Sequence, residues 1–256
     1  QEETFRDFVF DFKVHGIIFC TVLSILAGGI INQFYDREKD QLTKPFRTKI
    51  QNFLKQKYFL YAYLILVATS LTTAFLISPR VFYFFLVYQF FMWFYSHKLS
   101  KILIINNITF VSLTLYPFFG MMVYYHTFSG KVFLMAVFLF LMLLVMDILK
   151  DILTKNADKI FGYTTIPNAF GTRNAVNVVV ALSVLLFTVS MLIISNTGIH
   201  SILPLYFAAG LFVIILSVYL LLSSVKKSNF IVLNILRIWV FVGIIAMLLD
   251  GIIERF

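Results

Sequence analysis

Residues 131–159 read KVFLMAVFLFLMLLVMDILKDILTKNADK, and this stretch decides the fold. No charge lies between Lys131 and Asp147, and from Asp147 onward carboxylates and lysines recur every few positions. A transmembrane helix needs about 20 mostly apolar residues to cross a hydrocarbon layer about 30 Å thick. The stretch predicts a membrane-crossing helix over 131–149 whose end carries acids. The rest of the chain has the same character. Of its 256 residues, 61% are hydrophobic and 13% charged, with a mean hydropathy of +0.92. Soluble domains are roughly 45–50% apolar and about 25% charged. A soluble fold of this composition would leave too much apolar surface in water, so lipid must be the solvent. Disorder, collagen and coiled coil are excluded, and the single cysteine, Cys20, excludes a disulfide scaffold or a multi-cysteine metal site.

Eight apolar runs are long enough to span or nearly span a bilayer: 12–31, 58–77, 81–95, 102–125, 131–149, 175–195, 201–222 and 230–249. They are apolar all round instead of alternating, which favours helices over a barrel. The fold class is an all-α membrane protein, a single domain over 1–256. Ser78-Pro79-Arg80 predicts a tight turn between the second and third runs. Basic residues set orientation. Arg37, Lys39, Lys44, Arg47, Lys49, Lys55, Lys57, Lys98, Lys101, Lys150, Lys155, Lys159, Arg173, Lys226 and Lys227 fall on one side, against Arg6, Lys13, Arg80, Lys131 and Arg255 on the other. The richer side is expected to face the cytoplasm, in a bacterial or archaeal cell membrane. The net charge of +9 is thus read as topological, with no nucleic-acid partner and no obligate protein partner expected.

Only 12 residues are Asp or Glu, and half of them sit in two short windows on that same side. In the first, Asn32, Asp36 and Asp40 recur every four residues and form one stripe on a helix. In the second, Asp147, Asp151, Thr154 and Asp158 are offset by zero, four, seven and eleven, again one helical face. Either stripe alone also suits a solvated helix end. Two on one side, in a chain so poor in acids, favour a site. Hard cations such as Mg²⁺ take oxygen ligands and are typically held by one or two carboxylates plus substrate phosphates. The candidate metal ligands are Asn32, Asp36, Asp40, Asp147, Asp151 and Asp158. Lys44, Arg47, Lys98, Lys101, Lys150 and Arg173 lie on the same side and suit phosphate oxygens. This mixture fits a lipid diphosphate better than a bare ion.

At these residues the sequence resembles the UbiA superfamily of intramembrane prenyltransferases. Its first signature, Asn-Asp-x-x-Asp-x-x-x-Asp with a basic-Pro segment, is matched by Asn32, Asp36, Asp40 and Lys44-Pro45-Phe46-Arg47, with Gln33 replacing the first Asp. Its second is matched by Asp158 through Gly162, Thr164-Thr165-Ile166-Pro167 and Gly171, with Asp147 and Asp151 upstream and Thr154 where many members carry an acid. Tyr95-Ser96-His97-Lys98-Leu99-Ser100-Lys101 is similar to the family's Tyr-Ser/Thr-x-x-Leu-Lys-Arg loop, Ser100 interrupting the basic pair. The family usually has nine helices. The resemblance implies that the eight visible here lack its first, a reading that suits a chain beginning at Gln1.

The resemblance further implies Mg²⁺-dependent transfer of a prenyl chain from an allylic diphosphate to a small acceptor, through an allylic carbocation in a water-poor cavity. Asp36, Asp158 and Lys150 are the candidate catalytic residues, and Lys44, Arg47, Lys98, Lys101 and Arg173 the candidate diphosphate ligands. The expected acceptor is aromatic, a quinone precursor, with a terpene cyclase or a lipid prenyltransferase as the alternatives. A transporter or a non-catalytic lipid-binding protein forms the competing class. Transporters carry midplane acids, and here the acids gather at one face, Asp250 near a helix end excepted. Arg237 inside the last apolar run is open to a functional role, to snorkelling or to pairing with a carboxylate. Asn106-Asn107 are open to acceptor binding or to bonding between helices.

Overall fold

The computed structural model describes residues 11–43, 45–46, 56–126, 128–197, 202–223 and 227–253. Among these every regular element is a helix: α1 (Phe12–Tyr35), α2 (Arg37–Thr43), α3 (Gln56–Ile77), α4 (Pro79–His97), a 3-10 turn (Leu99–Lys101), α5 (Ile105–Tyr125), α6 (Gly130–Ile160), α7 (Ile166–Phe170), α8 (Thr172–Thr197), α9 (Ile202–Leu222) and α10 (Ser228–Ile253). The eight long helices fall on the eight apolar runs. Seven are long and apolar enough to cross a membrane, and α4 is the exception. Tyr83, Tyr88, Gln89, Trp93, Tyr95 and Ser96 dilute its hydropathy without breaking the helix. The turn before α4 is tighter than expected: Pro79 is already the first helical residue, where its missing N–H costs nothing, and Ser78 caps Val81 at 3.2 Å.

Two short helices, α2 and α7, were not among the expected runs, and α6 runs past the end of its own. The short α2 continues α1 past Asp36, whose backbone N–H still reaches the Asn32 carbonyl and whose carbonyl accepts from Asp40. The length of α6 is the larger departure. Its 31 residues rise about 46 Å at 1.5 Å each. A hydrocarbon layer is about 30 Å thick, so roughly the last ten residues project beyond it. They carry Asp151, Thr154 and Asp158.

The described residues group into two compact units. One comprises the chain up to Ser100 together with Tyr116–Gly120, the other Lys101–Leu115 and the chain from Met121 on. In the first, α1, α3 and α4 pack on one another. Because lipid is as apolar as a Leu side chain, small and polar groups at the contact do the joining. Ser24 and Ser70 share a hydrogen bond of 3.1 Å, Gln89 donates to Ser24 at 3.0 Å, and Ser70 donates to the Cys20 carbonyl at 3.2 Å. In the second unit α6, α8, α9 and α10 pack in a cycle around Phe138, Met142, Val145, Leu186 and Phe207. Arg237 is exposed on α10 and donates to Asn234 on its own helix at 3.4 Å.

Gly243 of α10 faces a ring with little freedom. A Cβ there would stand 2.7 Å from the Tyr206 hydroxyl and 2.8 Å from its Cζ. Tyr206 is stacked on Trp239 at 4.7 Å and donates to the Trp239 carbonyl. Gly243→Ala is therefore expected to cost about 1–3 kcal/mol, as overpacking does, and to lower Tm in detergent while leaving helix content unchanged by circular dichroism.

Candidate active site

The second acidic stripe lies on one face of α6 as its spacing predicts. Asp147, Asp151 and Asp158 are 5%, 6% and 0% exposed. A buried carboxylate is costly unless hydrogen-bonded, so its partners define the site. Two come from the first turn of α5. Asn107 Nδ2 donates to Asp147 Oδ2 at 2.8 Å and to Asp151 Oδ2 at 2.9 Å, and Asn106 Nδ2 reaches Asp151 Oδ2 at 3.4 Å. Of the two readings of Asn106-Asn107, bonding between helices is the one observed. Sharing one nitrogen holds the two carboxylate oxygens within about 6 Å. At an effective dielectric near 20, unit charges at that range repel by about 3 kcal/mol. The positive end of α5 and the Asn donors offset part of this.

Lys150 adds the nearest formal charge. Its ammonium lies 3.3 Å from Asp147 Oδ1 and 5.1 Å from the Phe110 ring centroid, and the side chain remains half exposed. Thr154, at a position where an acid was the alternative, donates to Asp158 Oδ2 at 2.7 Å. Its hydroxyl also lies 3.1 Å from the Lys150 carbonyl, but one proton serves one acceptor, and the shorter bond to the carboxylate is the stronger. The departure from the usual acid thus relieves crowding of negative charge instead of adding to it.

Backbone geometry explains the glycine four residues after Asp158. Gly162 has φ +71°, Tyr163 N–H bonds the Asp158 carbonyl at 2.8 Å and Gly162 N–H the Lys159 carbonyl at 3.4 Å. This pairing closes a helix and favours glycine, which has no Cβ to clash. The chain beyond it is tied down. Thr164 N–H bonds the Lys101 carbonyl at 3.1 Å, and the Lys101 ammonium stands 5.4 Å from the Tyr163 ring centroid. Ile104, with φ +65°, turns the chain from Lys101 into α5; a β-branched residue held there stores about 1–3 kcal/mol of strain. That strained turn delivers Asn106 and Asn107 to the acids.

In the other unit Asn32 Nδ2 donates to Asp36 Oδ2 at 3.1 Å, and Thr43 Oγ1 lies 3.4 Å from Asp40 Oδ1. Asp40 is buried, Asn32 and Asp36 half-buried. His97, the last residue of α4, stacks on Trp93 and meets Tyr35 edge-on, each at 5.4 Å. Lys98 closes α4 and is exposed, as are Lys101 and Arg173. Lys44 and Arg47 lie outside the described residues. Among the described residues no three His, Cys, Asp or Glu side chains converge on a point that would hold a metal by protein ligands alone. The structure brings Asp147 and Asp151 together through Asn107 and sets Lys150 beside Asp147. Asn107 and Tyr163 are the site residues that spacing did not assign. The one signal for Asn107 was a polar pair at the end of an apolar run.

Residues 7–243 match the UbiA prenyltransferase family. Over 225 residues the chain is 28% identical to digeranylgeranylglyceryl phosphate synthase from Thermococcus gammatolerans, covering 85% of this chain and 78% of that one. A solved structure concerned with digeranylgeranylglyceryl phosphate synthase in membranes superposes with a TM-score of 0.71 at 22% identity, over 94% of this chain and 86% of the other. A UbiA homolog from Archaeoglobus fulgidus, bound to GPP and Mg²⁺, superposes with a TM-score of 0.65 at 14% identity, over 91% and 87%. The fold is therefore shared with both structures, and the match over 7–243 takes in both acidic stripes and the strained turn between them. This multi-pass membrane protein belongs to the UbiA prenyltransferase family.

Proposed function

We propose that the protein transfers a prenyl chain from an allylic diphosphate to a hydroxyl of a glyceryl phosphate lipid, with Mg²⁺ as cofactor and the reacting groups at the cytoplasmic face. The observation that carries this reading is the likeness, over most of the chain, to a synthase of digeranylgeranylglyceryl phosphate. It favours a different acceptor from the one expected first. An aromatic quinone precursor has no support, and the lipid prenyltransferase held as the alternative is the better reading.

The residues fit the cofactor. Asp147 and Asp151 are a buried oxygen pair drawn together by a donor, and the scarcity of further carboxylates at that point suits an ion that completes its shell with phosphate oxygens and water. Asp147, Asp151 and Asp158 of one cluster and Asn32, Asp36 and Asp40 of the other are the proposed ligands. When bound, the ion supplies Lewis-acid stabilisation of charge on the leaving diphosphate. Lys150, Lys98, Lys101 and Arg173, with Lys44 and Arg47, take up the remaining phosphate charge as it develops. The apolar helices keep water from the allylic cation until the acceptor oxygen reaches it. The C–O bond to diphosphate breaks, a C–O bond to the glyceryl oxygen forms, and the hydroxyl proton is lost.

Purified protein in detergent, given geranylgeranyl diphosphate, geranylgeranylglyceryl phosphate and Mg²⁺, is expected to release diphosphate and form a doubly prenylated lipid. Hydroxybenzoate or dihydroxynaphthoate in place of the lipid is expected to give neither, and turnover with those acceptors alone would overturn the reading. Asp36→Asn and Asp158→Asn are each expected to lower kcat about 100-fold or more, the usual scale for losing one electrostatic contributor, with diphosphate release as the measure. Facing is checked by cysteine labelling. Cys20 is fully buried and can stay. Arg173→Cys should react with a membrane-impermeant maleimide only in inside-out vesicles, and Lys131→Cys only in right-side-out ones.

A further inference from the structure

We infer that Asn107 is a positioning residue: its side-chain amide holds Asp147 and Asp151 as a pair set for one divalent cation, and it acts on catalysis only through them. This rests on the Mg²⁺ reading above and adds a residue to it.

The bonding of the amide is lopsided. Both carboxylates, 40 and 44 residues away in sequence, accept from the one Nδ2, at 2.8 and 2.9 Å. The other end, Oδ1, is buried and has no hydrogen-bond partner, in a residue only 1% exposed. A side chain present only to join two helices gains by using both ends, because an idle buried carbonyl costs stability. Idle buried ends also occur at Gln89 Oε1 and Asn168 Oδ1, so the weight falls on the donor end of Asn107, whose single nitrogen meets two carboxylates. The amide cannot simply be reversed, since that would set Oδ1 against two carboxylate oxygens. The donor end is therefore fixed on the acids by their charge.

The surroundings support the same assignment. Asn106 Oδ1 accepts from the Asn107 backbone N–H at 2.7 Å, which steadies the first turn of α5, and Asn106 Nδ2 supplies a further donor to Asp151. Lys150 donates to the other oxygen of Asp147, at 3.3 Å. Asn107 touches both acids through its one Nδ2. A cation between two carboxylates attracts both, and a neutral amide donor does the same more weakly. Holding the acids together beforehand lowers the cost of gathering them when the ion arrives. Groups that orient metal ligands in this way are usually worth 10–100-fold in metal affinity.

The test is thermal unfolding of the full chain in detergent, in EDTA and in excess Mg²⁺, for wild type, N107L, D151N and N107L/D151N. Mn²⁺ binding is read beside it by electron paramagnetic resonance. In EDTA, N107L is expected to lower Tm by about 5 °C, an ordinary shift for a lost buried interaction in a chain of this size. In excess Mg²⁺ the gap to wild type should widen, because a variant that binds the ion more weakly gains less stability from it. D151N should remove the effect of N107L, because one acid needs no clamp. Mn²⁺ affinity of N107L should fall about 10-fold or more, and the Mg²⁺ concentration for half-maximal rate should rise in step, with KM for the prenyl diphosphate at saturating Mg²⁺ nearly unchanged. If N107L alone is not recovered folded, N107L/D151N against D151N carries the test, with near-equal Tm expected. A Tm loss equal in every arm, with unchanged Mn²⁺ affinity, would mean that Asn107 only packs and would overturn the inference while leaving the proposed reaction intact. A wild-type Tm and resonance signal that neither ion moves would overturn the cation reading itself.

Discussion

Three buried carboxylates on a helix that begins in lipid are the constraint around which this molecule is arranged. Asp147, Asp151 and Asp158 are almost wholly withdrawn from water, on an α6 whose preceding residues carry no charge back to Lys131. Carboxylates in such a place must either find donors or lose their charge. The chain provides the donors from a second helix, at the strained turn Ile104, and from Thr154 on the same face. The closing turn at Gly162 follows from the same need, because it stops α6 one turn after Asp158 and returns the chain to Lys101. Strain at one end and a glycine at the other are the conformational costs of keeping acids at the edge of an apolar layer.

The scaffold under this site is held in a different way from a soluble core. Lipid solvates the outer faces, so apolar burial does not by itself drive one helix onto another. The contacts that discriminate are polar or closely fitted: Ser24 with Ser70 and Gln89 in one unit, Gly243 under Tyr206 and Asp250 capping Leu203 N–H at 3.2 Å in the other. Asp250, the acid that sat apart from both stripes, thus serves the start of α9 and leaves no midplane carboxylate for a transport relay among the described residues.

Much of this was legible in the sequence because lipid imposes a simple rule. Runs of apolar residues must be helices, and the eight runs became eight long helices. Periodicity placed Asp147, Asp151, Thr154 and Asp158 on one face because a four-and-three spacing has one meaning on a helix. The length of α6 was harder to read, since hydropathy ends at the membrane surface and the helix does not. For Asn107 bonding between helices was one of two legible readings, but its partners were not, because a hydrogen bond to residues 40 and 44 positions later depends on which helices meet and in what register. The ranking of acceptors was not legible for a related reason: the likeness to lipid prenyltransferases favours the alternative over the aromatic acceptor placed first. The diphosphate motifs report the half of the reaction that every acceptor shares, and they carry no information about the other half.

What distinguishes the acceptors physically is charge. A hydroxybenzoate brings one carboxylate, whereas a glyceryl phosphate brings a dianion near neutral pH beside a diphosphate already present. A site that accepts both phosphorylated substrates needs more cationic side chains than ligands to one diphosphate would require. By the topology expected from the sequence, fifteen Lys and Arg fall on one side against five on the other. Lys150 is engaged by Asp147, Lys101 stands over Tyr163, and Lys155 donates to Thr172 at 3.1 Å, which leaves charge from Lys98, Lys159 and Arg173 exposed on the described surface. On the proposed reaction, the positive residues expected to orient the protein in the membrane would also draw an anionic lipid acceptor to that side, so that topology and substrate choice would rest on the same side chains.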